Sequence, residues 1–130
     1  MELLGATFPT CVLNSTSYST GSVVEISYDP IVKNIVYNVN VTTGTYVAVG
    51  YGTSMTDTDM CFWNATTQED LYAIGETTPS VDSVNAYTSN FTVTTSGTSW
   101  TSTRPIAATG QDSYVIPIET SFPMISAYST

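Results

Sequence analysis

From residue 35 onward the chain alternates: Ile35, Tyr37, Val39 and Val41 are apolar, while Asn38, Asn40 and Thr42 beside them are polar. A period of two places successive side chains on opposite faces of a strand, so this run has one buried and one wetted face. The stretch Asn90-Phe91-Thr92-Val93-Thr94 repeats the pattern, with Phe91 and Val93 turned inward and Asn90 outward. No window shows the apolar stripe and caps of a helix. β-Branched and aromatic residues are dense, and glycine and proline punctuate them at short intervals. Strands are predicted over Val23–Tyr28, Lys33–Val41, Tyr46–Gly52, Met60–Asn64, Leu71–Ile74, Asn90–Thr95, Ser99–Thr103, Tyr114–Pro117 and Met124–Tyr128. Asp29-Pro30, Thr43-Gly44, Thr77-Thr78-Pro79, Ser96-Gly97 and Thr109-Gly110-Gln111-Asp112 read as turns. Residues 46–51 are apolar on both faces, as a strand in the middle of a two-layer packing requires. The sum is an all-β protein: an antiparallel β-sandwich of about nine or more strands, expected to be one domain over residues 1–130.

The surface of such a sandwich would be built from hydroxyls and amides, because only 10% of the residues are charged. Eleven acids stand against Lys33 and Arg104, for a net charge of −9. That balance repels phosphate backbones and anionic bilayers, which argues against nucleic-acid binding and against docking on acidic membranes.

Four N-x-S/T sequons occur, at Asn14, Asn40, Asn64 and Asn90, and none has proline in the middle position. They point to a secretory pathway that attaches N-glycans, and hence to an extracellular or cell-surface protein. Two cysteines, Cys11 and Cys61, fit one disulfide in that oxidising setting. No apolar run is long enough to span a bilayer, so a membrane link would come only through a domain absent from this chain. The start, Met1 to Ala6, lacks the basic and apolar regions of a signal peptide, which fits a mature or excised segment.

Residues suited to catalysis are scarce. The chain has no histidine, Lys33 is placed in a strand, and no serine has an evident base partner. The expectation is a protein that is not an enzyme. Asp57 and Asp59 form an Asp-x-Asp pair that either caps a turn or offers oxygens to calcium. Arg104 is expected to pair with a carboxylate such as Asp112 or Asp82, the alternative being a role in holding an anionic ligand. The aromatics Tyr46, Tyr51, Phe62, Trp63, Tyr72, Tyr87, Trp100 and Tyr114 serve either as core and rim or as a sugar-stacking platform.

The segment from Gly44 to Met60, Gly-Thr-Tyr-Val-Ala-Val-Gly-Tyr-Gly-Thr-Ser-Met-Thr-Asp-Thr-Asp-Met, resembles the central signature of DOMON domains: an apolar strand, Gly-aromatic-Gly, a loop Met and then Asp. Asp70-Leu71-Tyr72, Pro79-Ser80-Val81-Asp82, Thr103-Arg104-Pro105-Ile106 with Thr109-Gly110-Gln111-Asp112, and Ile125-Ser126-Ala127-Tyr128-Ser129 are similar to that family's later elements and follow in its order. The resemblance implies an immunoglobulin-like β-sandwich that is secreted or exposed and binds b-type haem or sugars. In the haem-binding branch a loop Met and a later His are the axial ligands, and electrons pass to a partner domain. Met55 matches the Met; nothing in this chain matches the His. Either the imidazole lies beyond this segment or this member holds no haem. The leading expectation is a glycosylated extracellular binding or structural module that associates with itself, with neighbouring surface proteins or with carbohydrate. The alternative is a haem b electron-transfer domain with Met55 as one axial ligand.

Overall fold

The computed structural model describes residues 11–51, 58–73, 80–81, 85, 87–106 and 124–128, with the side chains at 11, 12, 58, 59, 72, 73, 80, 124, 125 and 127 outside that description. These residues form ten strands: β1 (Cys11–Ser17), β2 (Val23–Asp29), β3 (Asn34–Thr42), β4 (Val47–Tyr51), β5 (Thr58–Trp63), β6 (Gln68–Ala73), β7 (Ser80–Val81), β8 (Thr88–Val93), β9 (Gly97–Pro105) and β10 (Met124–Tyr128). They pair antiparallel into two five-stranded sheets, ordered β1-β2-β3-β9-β8 and β10-β4-β5-β6-β7. The fold is the all-β sandwich that the alternation implies.

The alternation in β3 becomes the floor of the core. Ile35, Tyr37, Val39 and Val41 are fully buried, and Asn38 and Asn40 are exposed. Val24 and Ile26 of β2 and Trp100 of β9 extend that floor, and Val47, Val49, Tyr51, Cys61 and Trp63 of the second sheet close it from above. Each such side chain stabilises the packed state by about 1.5–3 kcal/mol. β4 is buried on both faces along its whole length, as predicted for a central strand.

Polar bonds fix how the two sheets sit on one another. Trp63 Nε1 donates to Ser102 Oγ at 3.0 Å, and Trp100 Nε1 donates to the Asn64 carbonyl at 2.8 Å. Thr98 Oγ1 donates to the Ala65 carbonyl at 2.8 Å. Each bond runs from β9 in one sheet to β5, or to the turn after it, in the other. Burial makes such bonds costly to lose, so they specify the alignment of the layers.

Sequence and structure differ at several points. The polar run Cys11–Ser17, with no predicted strand, is the edge strand β1, and a bulge between Val12 and Asn14 shifts its register. Lys33 is not the first residue of β3; it sits in the preceding turn with φ 57. Phe91 and Val93 of β8 share the inward side with Trp100 and Thr98, yet they are 53% and 70% exposed because β8 is a sheet edge. The strand expected at 114–117 lies outside the described residues.

Candidate functional site

The four sequon asparagines occupy three kinds of place. Asn40 lies on the solvent face of β3, opposite Ser99 of β9, and Asn90 lies on the same face of β8, opposite Thr101. Both are exposed, as the alternation predicts. Asn14 is exposed on β1, where its Oδ1 accepts a bond from Thr16 Oγ1 at 2.8 Å. Past the bulge its register partner is the buried Ile26, so Asn14 borders a cleft of about 110 Å³ between the sheets. Tyr18, whose ring lies tilted 4.8 Å from that of Tyr128, borders the same opening.

Asn64 is different, being held in the four-residue turn between β5 and β6. Its N–H donates to the Thr67 carbonyl at 3.0 Å. Its Oδ1 accepts from Thr66 N at 2.9 Å, Thr67 N at 2.7 Å and Thr66 Oγ1 at 3.3 Å. This is the side-chain-to-backbone capture that makes asparagine a turn former. At both Asn14 and Asn64 the sequon hydroxyl bonds Oδ1, which leaves Nδ2, the atom that accepts a sugar, for the linkage. Beside Asn64 the rings of Tyr46 and Phe62 stack at 5.4 Å with 29° between planes. These rings, with Gly44, Thr45, Ala65 and Thr66, line a shallow depression of about 370 Å³.

Cys61 is buried in the core, and Gln68 Nε2 lies 3.3 Å from its sulfur. Cys11 opens β1 in the other sheet, and its side chain is outside the described residues. Met55 and Asp57 lie outside the described residues, as does the carboxylate of Asp59.

At the end of β4 from which the Met55 loop departs, the interior holds an aromatic and cationic cluster. The hydroxyls of Tyr37 and Tyr51 are hydrogen-bonded. Tyr37 also meets Trp63 and Tyr87, each at 5.5 Å between ring centroids. The guanidinium of Arg104, 1% exposed, lies 5.6 Å from the Tyr51 ring and 5.8 Å from the Tyr87 ring, and its Nε donates to the Pro105 carbonyl at 3.1 Å. The carboxylates expected beside Arg104, Asp82 and Asp112, lie outside the described residues. Burial, reinforced by Tyr87 and Tyr51, pushes the Tyr37 hydroxyl well above the usual phenol range, and Arg104 opposes that shift. These groups are neutral phenols and one delocalised cation in a dry setting. The cluster went unpredicted because its members come from four separated strands and a connecting segment.

A haem held by two protein ligands needs a second donor beside Met55, and these 130 residues contain no imidazole. β10 runs antiparallel to β4, with Met124 opposite Tyr51 and Tyr128 opposite Val47. Tyr128 therefore lies about 14 Å along the sheet from the Tyr51 end of β4. Within these 130 residues Met55 has no histidine to complete a Met/His pair of axial ligands.

What the fold defines is an antiparallel two-sheet sandwich whose β1-β2-β3-β9-β8 sheet has a hydroxyl- and amide-rich outer face. Among solved structures, the cytochrome domain of Myriococcum thermophilum cellobiose dehydrogenase is similar to it, with a TM-score of 0.65 over 92% of this chain and 67% of that one. Identity is 11%, so the likeness is one of fold, and it agrees with the DOMON-type sandwich implied by the Gly44–Met60 segment. No protein-family profile matches the sequence, and no curated protein does.

Proposed function

We propose that this chain is an N-glycosylated, extracellular DOMON-like module that binds or assembles and carries out no chemistry of its own. The observation that carries the reading is the position of the four sequons. Asn14, Asn40 and Asn90 are exposed on strands, and Asn64 sits in a turn that engages Oδ1 rather than Nδ2. Low charge and uncharged sheet edges suit contacts with neighbouring surface proteins, with carbohydrate or with further copies of the chain. A Cys11–Cys61 bridge belongs to the same reading. It would close a loop of about fifty residues and stabilise by about 4 kcal/mol. Intact mass and peptide mapping of protein secreted from a eukaryotic host test both points: at least three occupied sequons and a bridged cysteine pair are expected. Bare polypeptide with two alkylatable thiols would overturn the reading.

A second reading is favoured by the cytochrome-domain neighbour: a haem b electron-transfer domain in which Met55 supplies one axial ligand. When bound, haem supplies a one-electron couple; the part left to this chain is the thioether of Met55 and a dry aromatic wall at Tyr51. An absorption spectrum of purified protein separates the readings, since a sharp Soret band with split reduced bands supports the haem domain alone.

A further inference from the structure

We infer that the first N-acetylglucosamine of a glycan on Asn64 docks onto the Tyr46–Phe62 ring pair, so that the sugar is a packed part of the sandwich rather than a free appendage. The inference rests on the glycosylation reading above and adds a binding site to it. In β5 the side chains of Cys61 and Trp63 enter the core, which turns Phe62 to the outer face. Asn64, in the turn that follows, lines the same depression as Phe62. Tyr46 lies one step beyond the register pair Val47↔Trp63 and stacks on Phe62 at 5.4 Å.

Rigidity makes this geometry useful. Three donors hold Asn64 Oδ1, the Asn64 carbonyl accepts from Trp100 Nε1 at 2.8 Å, and the Ala65 carbonyl accepts from Thr98 Oγ1 at 2.8 Å. Those bonds turn Oδ1 toward the turn backbone, and Asn64 itself lines the 370 Å³ depression. Glycosylation joins Nδ2 to C1 of a sugar carried on a lipid pyrophosphate; the amide loses a proton and the pyrophosphate leaves. One face of the pyranose ring then presents only C–H groups, which suit an aromatic face. Because the ligand is tethered to a fixed turn, docking forfeits little freedom. The other sequons lack this feature, since two residues before Asn14, Asn40 and Asn90 stand Val12, Asn38 and Thr88.

The test uses secreted protein that keeps only this sequon (Asn14→Gln, Asn40→Gln, Asn90→Gln), trimmed to a single sugar. Mass spectrometry reads the occupancy of Asn64. Proton NMR reads the ring protons of the sugar against a free N-acetylglucosaminyl-asparagine reference. Upfield ring-current shifts are expected, and they should vanish in Phe62→Leu and persist in Phe62→Tyr. The melting temperature should fall by about 3 °C when the sugar is removed from the parent, and by much less in Phe62→Leu. Occupied Asn64 with reference-like sugar shifts overturns the docking and leaves the glycosylation reading standing. An unoccupied Asn64 overturns the docking, and the glycosylation reading falls with it only if the unmutated chain is bare at the other sequons as well. The parent protein's spectrum decides the matter even where Phe62→Leu does not fold.

Discussion

Trp100 Nε1 reaches across the sandwich to the main-chain carbonyl of Asn64 at 2.8 Å, so a β9 side chain in one sheet holds a turn of the other. The indole is 4% exposed, and replacing it removes the donor without giving the carbonyl another. Trp100→Phe keeps most of the apolar contact, including the Phe91 ring at 4.8 Å, and loses the bond. An expected loss of about 1–3 kcal/mol in denaturant unfolding follows from leaving a buried acceptor unsatisfied. Amide exchange at Asn64, whose N–H bonds the Thr67 carbonyl, should quicken with it.

Gly97 stands where β9 begins, paired with Thr42 of β3. A Cβ built there would come within 1.9 Å of the Val41 carbonyl and 2.9 Å of Thr42 Cα. Backbone, unlike a flexible side-chain tip, cannot move aside without opening the β3–β9 ladder. Gly97→Ala should therefore destabilise by about 3 kcal/mol, near the upper end for overpacking. Ser96→Ala, one residue away and exposed, should stay within about 0.5 kcal/mol. Equal midpoints for the two variants would contradict the packing argument.

The buried tyrosines set an alkaline limit. Tyr37 resists ionisation in the fold, chiefly through burial, whereas in the unfolded chain its phenol ionises near pH 10. Below pH 10 both states hold the proton and stability is unaffected. Above it the unfolded state releases a proton that the folded state retains, so stability falls as pH rises. The tyrosinate absorbance of Tyr37 should appear together with loss of β-sheet circular dichroism. In Tyr37→Phe the decline should be shallower, because the group that ionises on unfolding is gone.

How much of this was legible in the sequence depended on burial. Ile35, Tyr37, Val39 and Val41 alternate in a central strand with one dry face, and there pattern and structure agree. β1 was missed because an edge strand can be polar on both faces: Asn14, Ser15 and Ser17 are exposed. Its bulge also breaks the period of two. Phe91 and Val93 were assigned the correct side of β8, but the sequence does not reveal that β8 is a sheet edge on which they stay exposed. The Tyr37–Tyr51 bond joins residues 14 apart on different sheets, which no local period encodes. By contrast, the outward placement of Phe62 between Cys61 and Trp63 follows from alternation and could have been drawn from the residues alone.

Asn40 and Asn90 sit on one face with only β9 between their strands, opposite Ser99 and Thr101. Glycans there would cover the outer side of the sheet formed by β1, β2, β3, β9 and β8 and overhang its β8 edge. That edge needs cover: β8 reads Thr-Ser-Asn-Phe-Thr-Val, with no charge, no proline and no bulge in its pairing with β9. Its outer backbone groups and the exposed Phe91 and Val93 form a template for another strand. Neither asparagine contributes a core contact, so Asn40→Gln with Asn90→Gln should leave the unfolding midpoint of the monomer nearly unchanged. Self-association should rise instead, measured as a concentration-dependent increase in scattering mass. Adding Phe91→Lys should reverse that increase by placing a charge on the edge. A double variant that remains monomeric at every concentration would show that the glycans do not guard this edge.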